Sequence, residues 1–126
     1  MFEEAETREE MRPLIYVSGP ISHGGTLSPE AQKANVRHAT SIAFSLIRSG
    51  FSVYCPHWSL LAEDLIEMTL DHGMWIENDL PLVGRCDALL RLPGPSKGAD
   101  MEVEHAYLCE VPVFTQIGFL KDHFAL

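Results

Sequence analysis

The sequence predicts a three-layer α/β domain, with one parallel sheet of four to five strands and helices on both faces. Three observations carry this expectation. Short apolar runs alternate with segments of helical periodicity along the chain. The runs are apolar at successive positions, as strands covered on both faces must be. Three of the four runs are followed by residues rich in Gly, Pro, Ser or His. Such loops fit the carboxyl ends of parallel strands, where open α/β sheets bind their ligands. A length of 126 residues predicts one domain.

Residues 1–12 form an acidic arm, with five Glu against two Arg, and the domain proper is expected over 13–126. "LIYVSG" (Leu14–Gly19) is the first strand, and "PISHGGTLSPE" is the loop after it. Ser28, Pro29 and Glu30 supply a cap, a proline at the first helical position and an acid in the first turn. Ala31, Ala34, His38, Ile42 and Leu46 then recur at helical spacing until Gly50 closes the helix. "FSVYCP" (Phe51–Pro56) is a second strand, stopped by its proline. "HWSLLAEDLIEMTL" reads as a loop entering a helix. "MWIENDLPLVGRC" is a further helix, with an interruption expected at Pro81, where an interior hydrogen bond is lost. "DALLRLP" (Asp87–Pro93) is the third strand, Lys97–Glu110 a helix, and "VPVFTQ" (Val111–Gln116) the fourth strand. "FLKDHFAL" is a short terminal helix or tail. The chain shows no internal repeat, low-complexity tract or linker.

Composition narrows the function classes. Hydrophobic residues make up 46%, too many for a disordered chain. No apolar run approaches the roughly 18 residues a membrane helix needs, so no membrane partner is expected. The acidic N-terminus resembles neither a secretory signal nor a transit peptide, and a cytoplasmic location follows as the expectation. A net charge of −9 without a Lys/Arg cluster argues against a nucleic-acid polymer. A small anionic ligand stays compatible, because helix N-termini bind phosphate without net positive charge. Cys55, Cys86 and Cys109 form no CxxC pair, so zinc and thioredoxin chemistry lack support. They are expected to be reduced and mostly buried.

Two stretches could carry chemistry. In "GPISHGG", Gly19, Gly24 and Gly25 permit close backbone approach or positive φ. The loop is neither GxGxxG nor GxxxxGK[ST], and taken alone it is ordinary turn chemistry. In "PGPSKGADMEVEHA" (Pro93–Ala106), Ser96 is placed to cap a helix beginning near Lys97. Gly98 leaves room for a ligand at the first turn, where unpaired N–H groups suit an anion. A plain N-cap also accounts for Ser96.

Glu102 lies one turn further in, on the side facing the strand ends. The helix dipole is expected to hold it as the anion, which suits a nucleophile better than a general acid. Asp79, in "ENDLPLVGRCD", reads either as a second site carboxylate or as a solvated helix residue. Such a pair is what cleavage of a glycosidic bond requires. Asp87 reads as a turn residue at a strand start. Glu102 and His105 have the ExxH spacing of di-metal bundles, but only one copy is present. His105 therefore reads as a surface or packing residue. His57 and His72 have no partners at ligand spacing, and neither a metal nor another cofactor is expected.

Taken together, "LIYVSGPI", "NDL…CDALLRLPG" and "SKGADMEVEHA" resemble the nucleoside 2-deoxyribosyltransferase superfamily. That superfamily includes the 2′-deoxynucleoside 5′-phosphate N-hydrolases and small domains of unassigned function. The best match is the pattern S-x-G-A-x-x-E-x-x-x-A, filled by Ser96, Gly98, Ala99, Glu102 and Ala106, and the resemblance spans Leu14 to about Phe114. It implies a flavodoxin-like (Rossmann-like) domain. It also implies Glu102 as nucleophile, Tyr16 as the residue orienting it, and Asp79 as the group contacting or protonating the base. Ser96 and Gly98 match positions that hold a 5′-phosphate. Gly19, Pro20, Ile21 and Ser22 match the loop beside the sugar and phosphate.

The chain departs from the pattern in two places. The first loop carries His23 where the phosphate-preferring hydrolases have arginine. Glu104 replaces a glycine and is expected to raise the pKa of Glu102 if the two are close.

The expected activity is N-glycosidic cleavage or (deoxy)ribosyl transfer on a nucleoside or nucleoside 5′-monophosphate. The alternative is a non-catalytic module that binds or senses a nucleotide in the same pocket. The apolar run Ile66, Met68, Leu70, Met74, Trp75 and Ile76 is large for a chain this size. Ordinary core would account for it, but the resemblance implies sites completed across subunits, so a homodimer or higher homo-oligomer that partly buries it is expected.

Overall fold

A computed structural model describes residues 11–125 of the chain. The acidic arm, except Met11 and Arg12, lies outside the described residues. The elements are β1 (Leu14–Ser18), α1 (Pro29–Arg48), β2 (Ser52–Tyr54), a 3₁₀ turn (Pro56–Trp58), α2 (Ser59–Ile66), α3 (His72–Arg85), β3 (Ala88–Arg91), α4 (Lys97–Leu108), β4 (Val113–Phe114) and α5 (Ile117–Phe124).

The four strands form one parallel sheet in the order β2-β1-β3-β4. The period-two alternation of β1 sorts its side chains into the two outer layers. Ile15 and Val17 pack with Ala39, Ala43 and Leu46 of α1 and Leu120 of α5. Tyr16 packs with Val83 of α3 and Ala106 of α4 on the opposite face. β3 divides the same way, with Leu90 on the α1/α5 side and Leu89 on the α3/α4 side. The three-layer α/β fold expected from the sequence is therefore present, with four strands.

Local signals set two of the helix starts. The Ser28 hydroxyl accepts a hydrogen bond from the Ala31 N–H at 3.1 Å and Pro29 opens α1. The Ser96 hydroxyl caps α4 through the Ala99 N–H, also at 3.1 Å. Two details differ from expectation. α3 runs unbroken through Pro81. Its proline and Glu77, the residue whose carbonyl loses its donor, are both exposed, so water can satisfy that carbonyl. α4 stops at Leu108 rather than Glu110, because Glu110 turns left-handed (φ 59°) and the Val111 N–H closes back on the Ala106 carbonyl at 2.8 Å.

The chain leaves β1 for β2 on one side and later returns to place β3 on the other. The loops after β1 and β3 thus diverge, and the crevice between them is where a doubly wound sheet offers a site. Gly19 stands at this point. A Cβ there would lie 2.9 Å from the Leu92 Cβ, so the two strand ends approach this closely only with glycine.

His57, fully buried after β2, ties the loop following β1 to the core. Its Nε2 lies 3.1 Å from the Pro20 carbonyl oxygen, which can only accept. The ring is therefore the Nε2–H tautomer, and its Nδ1 faces the Cys55 thiol at 3.6 Å. Burial lowers the His57 pKa to about 4 and pushes the Cys55 thiol up to about 11.

A neutral buried histidine makes stability pH-dependent. The unfolded chain takes up this proton from about pH 6.5 downward, and the folded chain does so only near pH 4. Stability is complete above the higher value and falls by roughly 3 kcal/mol across this interval. His57→Asn is expected to be less stable at pH 7.5. Its deficit should narrow by on the order of 2 kcal/mol at pH 5, measured by urea unfolding. A deficit of constant size would show that His57 does not titrate as described.

Candidate active site

The crevice opens into a cavity of about 1050 Å³. The loop after β1 (Gly19 and Ile21–Thr26) forms one wall, and α2 with residues 69–70 another. One face of α3 (His72, Trp75, Ile76 and Asp79) and the first turns of α4, Lys97 to Glu102, complete it. A second, open depression of about 360 Å³ lies beside Arg91–Gly94 and Thr115 and holds neither carboxylate.

Glu102 is 5% exposed. Its Oε1 accepts from the Ser18 hydroxyl at 2.8 Å, and its Oε2 accepts from the Tyr16 hydroxyl. Tyr16 and Ser18 stand two residues apart on β1, so one strand face supplies both donors. Burial is the largest influence on Glu102 and raises its pKa to about 7. The two hydroxyls oppose that rise, the nearby Asp79 charge adds to it, and Arg91 opposes it. This corrects two expectations. The helix dipole does not hold Glu102 as a fully formed anion: the residue is the sixth of α4, beyond the turn where the dipole acts strongly. The neighbouring like charge is Asp79, whereas Glu104 is exposed.

Asp79 is buried at 5% exposure and lines the same cavity, so it is not a solvated helix residue. Its Oδ1 accepts from the Tyr54 hydroxyl at 2.9 Å and from the Asn78 side-chain amide at 3.0 Å. Burial raises its pKa, and those two donors pull against the rise. Two carboxyl groups with elevated pKa values therefore share one wall. Asp87, by contrast, is structural: its Oδ2 accepts from the Leu14 N–H at 2.7 Å and its own N–H bonds the Leu14 carbonyl at 2.8 Å.

Of the other expected residues, Gly19, Ile21, Ser22, His23, Ser96 and Gly98 line the cavity. Tyr16 and Pro20 do not. Tyr16 is wholly buried and reaches the cavity only through Glu102, and the Pro20 carbonyl is taken by His57. Asn35 of α1 holds the Ile21 carbonyl at 2.9 Å. His23 adopts φ 50° and its Nε2 meets the Pro95 carbonyl at 2.6 Å, joining the first loop to the loop before α4. Gly98 serves packing as well as approach, because a Cβ there would meet the His72 ring at 3.3 Å and Ile76 at 3.6 Å. His105 pairs with Cys109 at 3.5 Å, apart from the partners of Glu102. Cys55 and Cys86 are buried and Cys109 is exposed.

Sequence reading missed Ser18, Tyr54, His72 and the pair Glu63–Trp75. Ser18 was accessible from strand period alone, two residues beyond Tyr16. Trp75 and Asp79 are four residues apart on α3, which puts them on one face. Glu63 accepts from the Trp75 indole N–H and from the Leu70 N–H, each at 2.8 Å, and so fixes the α2–α3 connection against the cavity. The flanking apolar run is largely uncovered: Ile66, Met68 and Met74 are 64%, 62% and 52% exposed. Among the described residues no helix is long and apolar enough to cross a membrane.

The Glu102 carboxyl stabilises the fold most when protonated. Its contribution is complete below the unfolded value near 4.5 and is lost as pH rises through about 7. Glu102→Gln has no such loss. Measured against the parent by urea unfolding, the variant should gain on the order of 2–3 kcal/mol in relative stability between pH 4 and pH 8. A pH-independent difference would remove burial as the source of the raised pKa.

No family model matches the chain, and no curated protein matches it. A solved structure, a 2-deoxyribosyltransferase from the psychrotolerant bacterium Bacillus psychrosaccharolyticus, superposes with a TM-score of 0.52 at 20% identity. The match covers 82% of this chain and 75% of that one. At this level of identity the likeness is one of fold: the chain has the three-layer, flavodoxin-like architecture of a deoxyribosyltransferase.

Proposed function

We propose that the chain cleaves or transfers the N-glycosidic bond of a nucleoside or nucleoside 5′-monophosphate, with Glu102 as nucleophile. The observation carrying this reading is the pair of buried carboxyls, Glu102 and Asp79, on one wall of a cavity at the strand ends. The fold shared with a 2-deoxyribosyltransferase supports the same class of substrate.

In this reading a Glu102 oxygen forms a bond to C1′ as the C1′–N bond breaks. The bonding pair leaves with the base nitrogen, and Asp79 supplies a proton to the base. The Asp79 anion then takes a proton from water, whose oxygen attacks C1′ and releases Glu102. A second base in place of water makes the reaction a transfer. Tyr16 and Ser18 hold Glu102 in one rotamer and favour its anion. Ser96, Gly98, Lys97 and the loop Ser22–Thr26 receive the sugar and any 5′-phosphate. The homo-oligomer belongs to the same reading, with the exposed face of Ile66, Met68 and Met74 covered by a second copy. Light scattering at micromolar concentration should then report a dimer or larger species, and a fully active monomer would remove that part.

The deciding assay is chromatographic release of free base from a panel of ribo- and deoxynucleosides and their 5′-monophosphates. Glu102→Gln should lower release on the order of 10³-fold or more without unfolding the protein. No release from any substrate, with or without an acceptor base, together with ligand-induced stabilisation, would favour the binding-module alternative. Where turnover occurs, kcat/KM should be bell-shaped in pH, because Glu102 must be ionised while Asp79 holds the proton it gives. Tyr16→Phe removes a donor to the Glu102 anion, so it should move the limb set by Glu102 to higher pH and lower the maximal rate on the order of 10-fold. An unmoved limb would detach Tyr16 from Glu102.

A further inference from the structure

We propose that Tyr54 is the positioning residue of Asp79: with the Asn78 amide it occupies Oδ1, and so assigns the carboxyl proton to Oδ2, the oxygen left for a ligand. The proposal rests on the reading of Asp79 as the acid that protonates the departing base.

The geometry begins with strand register. Tyr16 on β1 pairs directly with Tyr54 on β2, and the ring centroids are 5.4 Å apart with planes 33° from parallel. Parallel register sends both hydroxyls to the face covered by α3 and α4. There they part: Tyr16 donates to Glu102 of α4, and Tyr54 donates to Asp79 of α3 at 2.9 Å. Each member of the carboxyl pair thus has its own tyrosine. Tyr54 itself does not line the cavity, so it acts on a substrate only through Asp79.

A neutral carboxyl carries one proton. An oxygen that already accepts from an O–H and an N–H cannot also carry a hydrogen toward those donors. Oδ1 of Asp79 accepts from both Tyr54 and Asn78, and among the described residues no donor reaches Oδ2. The proton therefore sits on Oδ2. When it passes to the base nitrogen as the C1′–N bond breaks, Asp79 becomes an anion. The bond from Tyr54 is then charge-assisted and stronger than before. Tyr54 stabilises the state in which the proton has left more than the state in which it is held, which raises kcat rather than binding.

The groups facing Asp79 agree with this assignment. They are Tyr54 of β2, Tyr16 of β1, Glu102 of α4 and Asn78 of its own helix. Burial raises the pKa of both phenols, so each stays a donor across the working range of pH.

The test is a double-mutant cycle on base release, using Tyr54→Phe, Asp79→Asn and the two combined, in the full chain. Tyr54→Phe keeps the ring packed on Tyr16 and removes only the hydroxyl. It is expected to lower kcat about 10- to 100-fold with KM changed less than about twofold. In the Asp79→Asn background the same change should alter kcat by less than about twofold. Equal losses in both backgrounds, or a loss confined to KM, would overturn the proposal.

A second measurement needs no turnover. Carbon-13 NMR titration of the side-chain carboxyls should show the Asp79 midpoint moving up in Tyr54→Phe, and by more than the Glu102 midpoint. An unmoved Asp79 midpoint in a folded variant overturns the proposal. A moved midpoint in a protein that releases no base upholds the link between Tyr54 and Asp79 while removing the glycosidic reading on which its catalytic use rests.

Discussion

The Glu102 carboxyl is buried where ionising is costly, and the site is organised around that cost. Water would leave Glu102 near its ordinary value, whereas the seam between the sheet and α4 lifts it to about 7. Tyr16 and Ser18 recover part of the lost solvation through two hydrogen bonds from one strand face. The remainder is a real cost to the folded state whenever the group is charged. In the glycosidic reading proposed above, the same desolvation would make Glu102 a better-placed nucleophile, so reactivity and instability would share one physical source.

The sheet allows this arrangement because its order reverses at β1. The strand that supplies Tyr16 and Ser18 lies in the middle of the sheet, flanked by β2 with Tyr54 and by β3, which leads into α4. Two contacts set the spacing of the walls. Gly19 lets β1 approach Leu92, and Gly98 lets α4 approach His72 and Ile76 of α3. Both glycines lie within the motifs that first drew attention to a ligand. Their measurable role is to bring strands and helices near enough for the two carboxyls to share a cavity.

What the sequence made readable was local. The Ser28 and Ser96 caps, the four strands and their alternation with helices each rest on signals within a few residues, and each is present in the structure. The unbroken α3 depends on whether Pro81 faces solvent, which no local rule reports. The ionisation of Glu102 was misjudged for a related reason: the helix dipole is a property of α4, but burial is a property of what packs on it. Tyr54 was invisible because its place in the site comes from register with Tyr16, 38 positions earlier, and from contact with a helix 25 residues onward. Asp79 was read from its place ahead of the third strand as either a second site carboxylate or a solvated residue, and its burial excludes the solvated alternative.

The loop over the cavity is fastened by two histidines of opposite character. At its inner end a buried imidazole holds the Pro20 carbonyl, and at its outer end the exposed His23 holds Pro95. The inner tie loosens only when the core itself opens, on the slow timescale of partial unfolding. The outer tie is one solvent-exposed hydrogen bond, of a kind that breaks and re-forms with ordinary loop motion in nanoseconds to microseconds. The span Ser22–Gly25 over the cavity is thus rooted in the hydrophobic core at one end and held only at the surface at the other.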